Sequence, residues 1–149
     1  MKKSIIVLVI LVLGISGCRY EEGNALTNLD KRIAGIWSVS SVYKNDEKTD
    51  TESPTLVESK GAVYEFYKTK ILLIRYIHNN VVCQSYGSWE FDEKKKNIEL
   101  MFLNQYYHIS RRYEIVKFKN KELKVRFTDD NGVKWALVLV LEQSLPYGM

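Results

Sequence analysis

From residue 33 onward, apolar and polar side chains alternate along most of the chain, broken by short polar clusters. A period of two sends successive side chains to opposite faces of a strand, so the pattern predicts sheet rather than helix. Residues 35–43 place Trp37, Val39, Ser41 and Tyr43 on one face, and residues 62–68 pair Tyr64 with Phe66. Residues 71–77 form a run apolar enough for burial on both sides. Residues 81–91 align Cys83, Ser85, Gly87, Trp89 and Phe91, and residues 98–102 alternate around Glu99. Residues 111–119 carry Tyr113 and Ile115 on one face, and residues 123–127 set Leu123, Val125 and Phe127 against Lys124 and Arg126. The last run, residues 133–142 with Trp135, is the most apolar. Short turns separate these runs, among them Thr69-Lys70, His78-Asn79-Asn80 and Asp129-Asp130-Asn131-Gly132. In the last of these, Asn-Gly readily takes the positive φ that a tight hairpin requires. The reading is eight antiparallel strands in meander order.

One long polar stretch interrupts this order. Residues 44–60, holding Asp46, Asp50 and Pro54, are predicted to be an extended loop with Leu56-Val57 as its only apolar contact. Ahead of the strands, residues 18–32 read as a polar tether, with one helical turn over 28–33 capped by Asn28 or Asp30. Eight sequential strands joined by short turns favour closure, because a closed sheet has no exposed edge. The expected fold is all-β, an eight-stranded antiparallel up-and-down barrel over residues 33–143, followed by a tail at 144–149. A two-layer sandwich is the competing arrangement.

The first seventeen residues obey a different rule. Lys2 and Lys3 precede an apolar run from Ile5 to Ile15, and Ser16-Gly17-Cys18 closes it with small residues and a cysteine. At about eleven residues the run is short of the roughly twenty that a membrane span requires. It reads instead as a cleaved lipoprotein signal peptide, with Cys18 as the acylated first residue of the mature chain. Several acyl chains anchor stably where one is marginal. The expected location is the cell envelope, on the outer membrane, facing the periplasm or the cell surface. Glu21-Glu22 resembles the acidic export signal of some surface-exposed lipoproteins; the bland reading is a solvated linker.

Length and charge limit the rest. The chain beyond Cys18 is long enough for one domain. Loss of Lys2 and Lys3 with the leader reduces the formal charge from +4 to +2. With the charges interspersed, this excludes a nucleic-acid stripe. Lys94-Lys95-Lys96 and Arg111-Arg112 read as solvating a turn and a strand face.

Within this pattern, Gly35-Ile36-Trp37 resembles the Gly-x-Trp opening of lipocalins. The chain is similar to the lipocalin-like lipoproteins of Bacteroidetes in Gly87-Ser88-Trp89-Glu90-Phe91 with Ile98-Glu99-Leu100, and in Tyr113-Glu114-Ile115 with Glu122-Leu123-Lys124-Val125. The likeness covers residues 33–142 and rests on order and spacing. It implies that Trp37 plugs the closed end and packs on a cation from the last strand. No arginine lies in residues 133–142, so Lys134 or Arg126 supplies that cation or the contact is missing.

Catalytic groupings are sparse. His78 and His108 are the two histidines, and Cys83 is the one thiol besides Cys18. No metal-ligand spacing, redox pair or nucleophile elbow occurs, and neither enzyme chemistry nor a cofactor is expected. Cys83 reads as a small buried apolar residue. An eight-stranded barrel has room for side chains or for one small ligand. Trp37, Tyr64, Phe66, Trp89, Phe91, Tyr113, Phe127 and Trp135 are the candidate ligand-binding residues, with Tyr hydroxyls, Ser41 or Ser85 as orienting groups. The first expectation is a noncatalytic, lipid-anchored protein holding a small, partly apolar molecule. If those aromatics fill the lumen, the alternative is a solid barrel that binds an envelope protein through its surface, with Tyr106-Tyr107 and the 44–60 loop as candidate contacts.

Overall fold

The structure is a computed structural model that describes residues 29–103 and 108–145. The leader, Cys18, Glu21-Glu22 and Tyr106-Tyr107 lie outside the described residues. A short helix α1 (Leu29–Ile33) leads into β1 (Gly35–Lys44), a short β2 (Glu47–Thr49) and a 3₁₀ turn (Leu56–Glu58). Then come β3 (Val63–Phe66), β4 (Ile71–His78), β5 (Val81–Phe91), β6 (Asn97–Leu103), β7 (His108–Lys119), β8 (Glu122–Thr128) and β9 (Lys134–Ser144). Each strand from β3 to β9 pairs antiparallel with the next, β3 pairs with β1, and β1 pairs with β9. The sheet is a closed eight-stranded barrel, with β2 added as a hairpin on β1.

The two-residue turns reflect the local chemistry. Asn45 and Asp46 (φ 49 and 67) turn β1 into β2, and Asn79 and Asn80 (φ 50 and 62) turn β4 into β5. Both central residues have positive φ, the form whose twist matches paired strands and which Asn and Asp tolerate. The β8–β9 turn is built differently from the expected Asn-Gly turn. The Asp129 carboxylate accepts from the backbone N–H of Asn131 and Val133 at 2.9 Å each, and of the Asn131-Gly132 pair only Gly132 has positive φ.

Two expectations about which way side chains point, those for residues 41–43 and 71–77, are corrected. Between Val39 and Ser41 the register to β9 slips by one residue, so Ser40 is a bulge. A bulge reverses the alternation beyond it. Val42 therefore points inward, fully buried, while Tyr43 and Ser41 leave the face shared by Trp37 and Val39. A second bulge at Val116 turns Phe118 inward, beside Trp37. Residues 71–77 are not buried on both sides. Leu72, Ile74 and Tyr76 face the core, whereas Ile71 and Ile77 are 51% and 68% exposed, because among the described residues no element covers the outside of β4.

α1 caps the barrel end at which β1 begins. Ile33 is fully buried, and its carbonyl accepts from the Trp37 indole at 2.8 Å. Asp30 is paired with Lys70 of the β3–β4 turn at 3.1 Å and with Lys95 of the β5–β6 turn at 3.3 Å. The resemblance implies a cation from the last strand beside Trp37. Here Arg126 pairs with Glu114 on the outside, and Lys134 is exposed. Trp37 instead meets the Phe118 ring edge-on, and it is Phe118 that carries a cation, Arg32 of α1, stacked on its face.

A buried carboxylate site in the barrel interior

All eight aromatics of the candidate ligand site belong to strands that enclose one interior, and they are buried there except Phe91, which is half-buried. They pack on one another. Phe66 meets Trp89 edge-on at 5.6 Å between centroids, Trp89 meets Phe91 likewise at 5.6 Å, and Tyr113 stacks on Phe127 at 4.9 Å. Their polar atoms are taken within the chain. The Trp89 indole donates to the Tyr67 carbonyl and the Trp135 indole to the Asp129 carboxylate, at 2.9 and 2.8 Å. Ser85, expected to orient a ligand, donates to the Leu103 carbonyl.

The interior also receives part of the 44–60 segment. Its polar composition predicts an extended loop, yet it contains β2 and the 3₁₀ turn. That turn carries Val57 and Glu58 into the barrel, where both are fully buried. Burying a carboxylate requires a partner of opposite charge and enough donors to replace water. Arg111 of β7 supplies the charge through two parallel bonds, Nε to Glu58 Oε1 at 2.8 Å and Nη2 to Oε2 at 3.0 Å. Tyr113 donates to Oε1 at 2.8 Å, and Thr55 of the turn donates to Oε2 at 2.8 Å. Tyr64 donates to the Val57 carbonyl at 2.8 Å, its hydroxyl lying 3.3 Å from that of Tyr113. The Arg111 guanidinium also lies 4.9 Å from the centroid of the Phe127 ring.

This burial governs the electrostatics. Removal from water, and then the charge of Glu58, push the Tyr64 and Tyr113 hydroxyls well above their usual pKa, so both stay protonated as donors. For Arg111, burial disfavours the charged form. The hydrogen bonds and charge of Glu58 outweigh it, and the guanidinium is held more firmly protonated than usual.

Two of these residues are not marked as interior by the sequence pattern. Arg111 reads with Arg112 as part of a solvated strand face, but it shares parity with Tyr113, and its side chain is 9% exposed. Glu58 sits in a polar stretch with no apolar period. Its one local signal is Thr55-x-x-Glu58, the spacing at which a hydroxyl and a carboxylate meet across one turn. Lys95 likewise reads as part of a solvated turn, yet it is one of the two lysines holding α1.

The histidines sit apart from this site. His78 and His108, at the end of β4 and the start of β7, are exposed, and among the described residues no group of three His, Cys, Asp or Glu side chains is placed to hold a metal. Cys83 is half-buried against the core and forms no disulfide.

Outside the barrel the surface is of two kinds. A groove of about 690 Å³ runs over β7–β9 and β1, lined by Tyr43, Glu114, Lys124 and Arg126. Across β4–β6 the outward positions mix exposed apolar residues with polar ones, among them Arg75, Gln84, Ser88, Glu90 and Glu99. Tyr86 is paired in register with Leu73 on one side and Leu103 on the other, and Ser88 separates Ile71 from Met101. Tyr86 and Leu103 are more than half exposed, as are Ile77 and Val82 nearer the β4–β5 turn. Comparison with known protein families and with curated proteins finds no match.

Proposed function

We propose that this protein is a noncatalytic, lipid-anchored envelope protein that works through the outside of its barrel, docking another protein of the envelope. One observation carries this reading: the residues that would line a ligand cavity are spent on one another and on the 3₁₀ turn. An aromatic lumen in this condition stabilises the scaffold rather than offering a vacancy. The exposed row on β4–β6 includes Tyr86 and Met101, residue types enriched at protein interfaces, beside Leu103. The anchor belongs to Cys18, ahead of the end capped by α1.

Photo-crosslinking in intact cells tests the docking reading. A photoreactive residue at Tyr86 is expected to give a discrete adduct that Leu103→Asp abolishes, whereas one at Lys124, on the charged side, gives none. Equal adducts from both positions, or none from Tyr86, would sink the proposal. Labelling with a palmitate analogue tests the anchor, and Cys18→Ala is expected to lose the label and leave the membrane fraction.

A further inference from the structure

Among residues 51–61 only Val57 and Glu58 are buried; their neighbours are exposed or partly so. The loop thus dips into the barrel with two side chains, one a branched aliphatic group and the other a carboxylate. The donors that meet the carboxylate come mostly from the barrel wall: Arg111 through Nε and Nη2, and Tyr113 through its hydroxyl. Only Thr55 belongs to the loop itself. A planar guanidinium that reads both carboxylate oxygens, with a tyrosine hydroxyl beside it, is a receptor for an organic acid.

We infer that Arg111 and Tyr113 form a binding site for a small branched aliphatic carboxylate, which the chain's own Val57-Glu58 fills in cis. This goes beyond the outer-surface reading and does not depend on it. A free acid of that shape carries the same two features as the turn, an apolar branch and a carboxylate. The tethered carboxylate competes at an effective concentration of roughly millimolar or more, so a free acid enters readily only when Glu58 is withdrawn.

The test uses the full chain in a nonionic detergent, with thermal unfolding followed by tryptophan fluorescence. Glu58→Ala is expected to lower the midpoint by on the order of 10 °C, because it leaves Arg111 charged and unpaired inside the barrel. Sodium isobutyrate is expected to restore at least half of that loss, rising with concentration as a bound ligand must. Sodium chloride at equal ionic strength and isobutyramide, the uncharged analogue, should not. The double variant Glu58→Ala/Arg111→Met should not respond to isobutyrate. Equal responses to isobutyrate and isobutyramide, or a response that survives in the double variant, would overturn the site. Should Glu58→Ala fail to fold with and without isobutyrate, the wild-type chain decides. Isobutyrate at several hundred millimolar is expected to speed tryptic cleavage after Lys60 relative to chloride, and an unchanged rate would overturn the proposal equally.

Discussion

Arg32 lies 4.4 Å from the centroid of the Phe118 ring and donates a 3.0 Å hydrogen bond to the Phe118 carbonyl, tying the helix before the barrel to the end of β7. The contact depends on the bulge at Val116, because without the extra residue Phe118 would point outward and leave Trp37 without its edge-on neighbour. One backbone irregularity thus decides how the barrel end is capped.

Arg32→Ala removes a cation over an aromatic face and a charged hydrogen bond, both only partly shielded from water. The expected loss is about 1–2 kcal/mol of unfolding free energy. Urea unfolding measures it, and Arg32→Lys should recover only part, since an ammonium lacks the flat face that stacks on the ring. A loss below about 0.3 kcal/mol, within the range of neutral surface changes, would mean that α1 caps the barrel through its buried Leu29 and Ile33 and the Asp30 ion pairs, without help from Arg32.

Arg111→Met strands the Glu58 carboxylate at a fully buried position. Breaking a buried pair in this way costs about 3–5 kcal/mol. Adding Glu58→Leu removes the orphaned charge and should recover most of that. The cycle formed with the single Glu58→Leu variant is expected to show a coupling of about 2 kcal/mol or more. Additive effects would show that the pair contributes no net interaction, whatever its geometry.

The barrel is legible in the sequence because its walls alternate over most of the span from Ala62 to Glu142, broken at Val116, and the eight inward aromatics fall on the expected faces. The bulges at Ser40 and Val116 are not legible, since an inserted residue leaves the composition of a strand unchanged and only its partner reveals the slip. Glu58 is hidden for another reason. A buried ion pair is specified by two residues far apart in the chain, and each alone looks like surface.

Stability against acid should depend on the turn carboxylates. The Asp129 carboxyl is held below its ordinary value of 3.8, first by the Trp135 indole and then by backbone N–H groups. Asp92 is held low in the same way by the Asn97 side chain and backbone. A depressed native pKa gives stability that is full above the ordinary value and lost as pH falls through the lowered one. Unfolding free energy is therefore expected to stay level from neutrality to about pH 4, as far as these two groups go, and to fall below it. Asp129→Asn with Asp92→Asn should flatten that fall, and a slope below about pH 4 as steep as wild type would show that other carboxylates set the acid limit.

Gly87 of β5 sits directly against the backbone of β6. A Cβ there would run into the Met101 carbonyl oxygen and come within 2.7 Å of the Phe102 Cα, both backbone atoms that cannot rotate away. Gly87→Ala must push the strands apart at the Gly87–Phe102 pairing, on the register that also sets Tyr86 opposite Leu103. Overpacking typically costs about 1–3 kcal/mol, and against immovable backbone the expected cost is about 3 kcal/mol or more. Gly132→Ala is the control. Its φ of 80 strains an L residue, but nothing lies within 4 Å, so its cost should stay near about 1 kcal/mol. Urea midpoints for the two variants test the ordering. If Gly87→Ala costs no more than Gly132→Ala, the β5–β6 ladder yields locally, and the outer row through Tyr86 is a softer surface than its regular register suggests.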